Sequence, residues 1–218
     1  MTDTEINMSP GRGRGRPRAF DRDQALDTAL QVFWRLGYEG ASISDLTQAM
    51  SISPTSLYAA FGSKSGLYRE ALERYGSGEG ACSVGPLRPD GSVHDAVSAV
   101  LRECAVRFVD PAHPPGCMIS TAVLACAEEN DAVADHLAEL RRRAMAAFVA
   151  RVDKGKVTGE LSAATDCLAI ARFYGAIIQG MSVQAKDGAG ADELALVAEM
   201  AIGAWDDVCA RAMAAGSV

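Results

Sequence analysis

The feature that most constrains this 218-residue chain is the stretch from Ser42 to Leu67, SISDLTQAMSISPTSLYAAFGSKSGL. It predicts two short helices joined by a tight turn, with a third helix starting directly after. Ser42 and Asp45 stand at capping-box spacing, so the hydroxyl can accept the Asp45 amide while the carboxylate reaches back. Leu46, Ala49 and Met50 then share one face. Ser51-Ile52-Ser53 forms the turn. Ser53 caps the second helix, and Pro54 at its first position has no amide to leave unpaired. Leu57, Ala60 and Phe61 form the inward face, which leaves Thr55, Ser56, Tyr58 and Ala59 for the outward side. Gly62 ends this helix, Ser63 caps the next, and Lys64 sits in its first turn. The pattern is a helix-turn-helix in its sequence form. Two helices this short cannot bury their own apolar faces. The preceding segment, Asp21 to Leu36, supplies the missing support, with Leu26, Ala29, Leu30 and Phe33 at helical spacing and Gly37 as its stop.

The run Ile52-Ser53-Pro54-Thr55-Ser56-Leu57-Tyr58, followed by Phe61, Ser63-Lys64 and Leu67, resembles the signature of the TetR family of bacterial transcriptional regulators. The resemblance covers about residues 18–75. It implies an all-α fold of about nine helices: an N-terminal three-helix helix-turn-helix domain and a larger helical domain for ligand binding and dimerisation. It implies that Tyr58 and Lys64 touch DNA phosphates. A phenol hydroxyl and an ammonium at a helix N-terminus suit that role. It also places Thr55, Ser56 and Ala59 against base edges, where small hydroxyls and methyls meet the thymine methyl or take either hydrogen-bond role. Ser44 fits a phosphate contact or a plain exposed serine equally well. Two positions depart from the family. Ser51 stands where glycine is usual, and a left-handed serine costs about 1 kcal/mol. Ala60 replaces an aromatic or histidine that touches phosphate in many members, so one backbone contact is expected to be missing.

Net charge is −7, which by itself argues against a polyanionic partner. Its distribution says otherwise. Residues 1–75 carry 9 basic and 9 acidic side chains, whereas residues 76–218 carry 12 and 19. Within 11–18 stand four arginines, including Arg12, Arg14 and Arg16, and no acid. A local positive field is what a nucleic-acid site needs. Arg14-Gly15-Arg16-Pro17 is similar to the core of an AT-hook, and a narrow minor groove concentrates the negative potential that attracts arginine. A flexible solubilising tail is the other reading. The expected organisation is a disordered arginine-rich arm over 1–18, the helix-turn-helix domain over 19–75, a glycine-rich connecting loop over 76–91, and an effector-binding and dimerisation domain over 92–218.

That last region reads as helices throughout: Ser92 to about Asp110, a short apolar one from Cys117 to Glu128, a long one capped by Asn130 and running through Val152, one from about Ala164 to Ala185, and a last one from Asp192 to Ala214. Lys154 to Leu161 is expected as a turn, and Arg141-Arg142-Arg143 as mostly solvated. The segment containing Phe173, Tyr174, Ile177, Ile178 and Met181 is apolar on more than one side, with Gly175 and Gly180 admitting another backbone, which points to a second subunit. Met118, Ile119, Phe148, Phe173, Tyr174 and Ile177 are candidates for an effector pocket, or equally for ordinary core.

Six widely spaced cysteines offer no C-x-x-C pair, so most read as small buried apolar residues. Cys117, after Pro114-Pro115-Gly116, is expected at a helix start, where the dipole lowers a thiol's pKa, and is a candidate redox site. His94, His113 and His136 lie in separate segments, so no metal and no cofactor is expected. No catalytic motif is present, and the chain is not expected to be an enzyme. No apolar run is long enough for a membrane span, and no secretory signal opens the chain, which leaves the cytoplasm. The expected function is a dimeric regulator, a repressor by family habit, that binds a palindromic double-stranded DNA operator and is released by a small-molecule effector. A thiol-switched regulator and an architectural protein of A·T-rich DNA remain as alternatives.

Overall fold

The computed structural model describes residues 20–78, 80, 87, 91–122 and 130–215. The arginine arm with Arg12, Arg14 and Arg16, most of the connecting loop, Cys82 and Cys126 lie outside the described residues. Among those described, nine helices and no strand make an all-α fold. They are α1 Arg22–Gly40, α2 Ile43–Met50, α3 Pro54–Phe61, α4 Lys64–Ser77, α5 Val93–Arg107, α6 Asp131–Thr158, α7 Cys167–Lys186, α8 Ala191–Gly203 and α9 Trp205–Ala215.

The first four helices start where side chains satisfy their free amides. Asp21 accepts from the Asp23 and Gln24 amides, Ser42 and Asp45 close a reciprocal capping box, Ser53 accepts from Ser56, and Ser63 from Gly66. Gly37 interrupts α1 with φ 72° and ψ 176°, turning the chain so that Tyr38 goes inward. Tyr38 joins Phe33 and Tyr68, whose rings meet edge-on at 4.8 Å. Leu46, Leu57 and Leu67, one from each of α2, α3 and α4, are fully buried beneath α1. Ser51 is the single described non-glycine residue with positive φ, at 54°, so the turn does carry the strain that its serine implies.

Several expectations need correction. Ala49 is exposed, and Thr47 takes its place on the inner face because its hydroxyl donates to the Ile43 carbonyl at 2.8 Å. Residues 117–122 form turns and bends, so Cys117 does not open a helix; the rest of that predicted element lies outside the described residues. Asn130 caps nothing. Its amide donates to Glu39 on α1 at 2.8 Å. The long α6 runs on to Thr158, through residues expected as a turn, and ends at left-handed Gly159. The predicted last helix is two, α8 and α9, parted at Ala204.

In this larger half α5 packs on α8 and α6 on α7, around Leu101, Leu137, Ile170, Tyr174 and Leu194, all fully buried. The segment after α5 ties the two halves together. His113 stacks on Trp34 of α1 at 4.4 Å, and the Trp34 indole donates to the Gly116 carbonyl at 3.1 Å. The Met118 amide donates to the Tyr75 hydroxyl of α4 at 3.2 Å, and the Cys117 amide to Ser182 of α7 at 2.7 Å. Gly116 has φ 76°, and a Cβ there would stand 2.6 Å from the Ser182 carbonyl, so glycine is required twice over.

Candidate nucleic-acid interface and effector cavity

The outward face of α3 is set by what its inward face buries. Leu57 and Phe61 fix the rotation of the helix, and Thr55, Tyr58 and Ala59 are thereby exposed, Tyr58 with 48% of its surface free. Ser56 differs from its neighbours. It is half-buried, and its hydroxyl pairs with that of the capping Ser53 at 2.9 Å. A base contact from Ser56 therefore competes with the cap. Ser44, on the first turn of α2, is exposed.

Lys64 is the first residue of α4. Its ammonium lies 4.4 Å from the centre of the Tyr38 ring, a cation–π contact that positions it beside the α4 N-terminus. Burial lowers its pKa below the usual lysine value, and Glu39 works against that shift. Two other cations of this half are engaged on its flank. Arg22 holds Glu70 at 2.8 Å and covers the Phe61 ring, and Arg74 holds Asp27 at 2.6 Å. These pairs brace α1 against α4.

The larger half contains a cavity of about 80 Å³ between the 117–120 segment, α6 and α7. Ile119 and Phe148 line it. The other candidate pocket residues do not. Met118 is buried, with its backbone amide bonded to Tyr75, and Tyr174 is buried with its hydroxyl donating to the Ala201 carbonyl at 3.2 Å. Phe173 is 39% exposed, and Ile177 lies half-buried beside that outer face. Cys117 is part of the lining, but as a buried residue of an irregular segment.

The lining also takes in residues the sequence had not singled out: Leu140, Arg141, Ala144, Met145, Gly175, Ile178 and Gln179. Arg141 is not solvated with its two neighbours. It is half-buried and donates to the Ile119 carbonyl at 3.3 Å. The signal was in the spacing, since Arg141 stands between Leu137 and Met145 on the inner stripe of α6. Gly175 also moves. A Cβ there would meet the Met145 methyl at 2.9 Å, inside the cavity wall, whereas Gly180 faces open space. No group of three metal-ligating side chains occurs among the described residues, and no described helix is long and apolar enough to cross a membrane.

Comparison with known proteins bears on both regions. The family model for bacterial regulatory proteins of the tetR family matches residues 25–71, and that for the tetracyclin repressor-like C-terminal domain matches residues 93–199. The chain is 31% identical over 209 residues to the HTH-type transcriptional repressor ComR of Escherichia coli, across 94% of this chain and 98% of ComR. It is 28% identical over 196 residues to the repressor BdcR of the same organism, across 90% and 94%. Among solved structures, a cysteine mutant of the TetR family transcriptional regulator CifR, complexed with 26-bp double-strand operator DNA, is 45% identical with a TM-score of 0.83, covering 87% of this chain and 100% of that one. The helix-turn-helix and the helical half behind it are thus matched together, and this chain belongs to the tetR family of bacterial regulatory proteins.

Proposed function

We propose that this chain is a homodimeric repressor that binds a palindromic operator and leaves it when a small molecule enters the α6–α7 cavity. In this reading residues 19–75 read DNA, residues 92–218 sense the effector and dimerise, and residues 1–18 form a basic arm in the minor groove. Like other bacterial regulators of transcription, it would act in the cytoplasm. Tyr58 and Lys64 grip phosphates, Thr55 and Ala59 face bases, and Ser56 shares its hydroxyl between base and cap.

The observation that carries the proposal is the exposed outer face of α3 on a buried scaffold. Operator complexes of CifR, at 45% identity, support the same use here. Dimerisation is supported by an apolar surface with no cover in a single chain. Leu168, Phe173 and Val183 on α7 and Leu196 and Met200 on α8 are all exposed, and a patch of this kind on a folded protein marks an interface.

The test is a salt-titrated binding assay on a palindromic site against scrambled DNA. Lys64→Ala should weaken both and lower the salt slope by about one for each phosphate left unneutralised. A Thr55 substitution should change base preference by about 1–3 kcal/mol. If deletion of residues 1–16 removes all discrimination while Thr55 and Tyr58 substitutions leave it intact, the arm is the reader and the proposal fails. A thiol-reactive effector is a second reading, favoured by Cys117 in the cavity lining. Cys117→Ser should then abolish release by an electrophile or oxidant.

A further inference from the structure

We infer that the α6–α7 cavity takes a compact apolar carboxylate, with its acid group on Arg141 and its carbon skeleton among Leu140, Met145, Phe148 and Ile178. The inference rests on the proposal that this cavity is the effector site.

Three consecutive arginines occupy one turn of α6, and two of them are spoken for. Arg142 and Arg143 each reach Glu139, at 2.9 Å and 2.9 Å. Arg141 has Leu137 one turn before it and Met145 one turn after, so no acid on its own helix shares its face. Among the described residues it pairs with no carboxylate, and its hydrogen bond is the single long one to the Ile119 carbonyl. A guanidinium carries five N–H donors in a planar fork that fits a carboxylate two bonds at a time. Most of that fork is therefore unspent at the edge of an apolar cavity.

The rest of the lining narrows the ligand. Among the described lining residues, Ala144, Ala171 and the four named above are apolar, Ser120 and Gln179 are neutral, and none is a carboxylate. Such a wall repels no anion and offers a cationic ligand no partner. Its described residues hold a single positive charge, which matches a monoanion and leaves a phosphate ester's second charge uncompensated. At about 80 Å³ the space is small. One wall is the Met145 side chain, which lies close over Gly175 and is flexible enough to give way to a ligand. A short branched or single-ring acid fits this description.

The same bond gives binding a consequence. A carboxylate that takes up the Arg141 fork competes with the Ile119 carbonyl. Ile119 follows Met118, which is tied to Tyr75 of α4, and the same segment is tied to Trp34 of α1. Breaking the Arg141 bond removes one of the ties that hold the stretch of chain on which the reading half leans.

Calorimetric titration of the full-length protein with 3-methylbutanoate and benzoate, and with the primary amides and alcohols of the same skeletons, tests this. The acids should bind about tenfold or more tighter than their amides, the range of a charge-assisted pair. Arg141→Gln should bring acid and amide level, and Arg141→Lys should keep part of the preference. Gly175→Leu, which fills the cavity without touching the cation, should abolish binding of every probe. If acids and amides bind alike and Arg141→Gln changes neither, the carboxylate assignment is overturned while the cavity stands. If Gly175→Leu leaves acid binding intact, the acid sits elsewhere and the effector site itself has been misassigned. Failure of every acid to bind at millimolar concentration overturns the inference.

Discussion

The first four helices and the last five solve the same packing problem in opposite ways. In α1 to α4 every N-terminus is closed by a neighbouring side chain, the turns are short, and the aromatic rings of Phe33, Trp34, Tyr38, Tyr68 and Tyr75 fill the space between helices. In α5 to α9 the long α6 starts without a side-chain cap, Met145 and Gly175 leave a void, and five large apolar side chains on α7 and α8 face outward. The reading half is specified locally. In the proposed reading the body keeps part of its stabilisation for an effector and a second subunit, since whatever binds only the folded form adds to its stability. A regulator needs both: a rigid surface presented to DNA and a body whose state depends on what it meets.

The sharpest way to break this comparison is to attack the body at a point that leaves the reading half intact. Gly180→Arg places a long cation on the open apolar face of α7. It should turn a dimer into a monomer by light scattering and weaken operator binding by about 100-fold or more, because two linked heads bind far better than one. An unchanged dimer would move the interface elsewhere.

Gly66→Ala attacks the reading half instead. Its Cβ would stand 2.3 Å from the Phe61 carbonyl, a backbone atom that cannot turn away. Chemical denaturation of the full chain should show a loss of about 1–3 kcal/mol. A neutral outcome would show that the α3–α4 turn is more plastic than its caps imply.

Ser51→Gly runs the other way. It relieves a left-handed serine at φ 54° and should stabilise the protein by up to about 1 kcal/mol, without changing which operator is preferred.

The smallest effect concerns acid. Hydrogen bonds from the Ser42 hydroxyl and amide hold the Asp45 carboxyl below its ordinary pKa of 3.8. A depressed folded pKa means the contribution is complete above the unfolded value and fades as pH falls through the folded one. Asp45→Asn should therefore flatten the stability profile below about pH 4 and change little at neutral pH.

The reading half was nearly legible in the sequence because its rules are local. Caps, the Pro54 start and the Gly37 break each depend on residues within four positions of one another. One slip, Ala49 for Thr47, came from counting a hydroxyl as polar when it can bond back to its own helix. The body was less legible because its decisive contacts are distant. Asn130 looked like a cap and instead reaches Glu39, 91 residues away. Arg141 looked like one member of a charged run, and Gly175 like a contact for a second subunit. Their positions follow from how α6 and α7 rotate against one another, which no window of neighbouring residues contains. Phe173 and Ile177 were grouped with Phe148 by hydrophobicity alone, yet lie at or beside the outer side of α7.

The two bonds that flank Cys117, from Trp34 to Gly116 and from Met118 to Tyr75, set the terms on which this regulator can be rebuilt. Both partners in the reading half lie outside α2 and α3. In the proposed reading, an engineer can thus exchange α2 and α3 for those of a relative and keep the proposed sensing intact. An exchange that takes α1 and α4 as well must bring an indole and a phenol to the same two places, or the graft will hold its DNA and no longer hear the body.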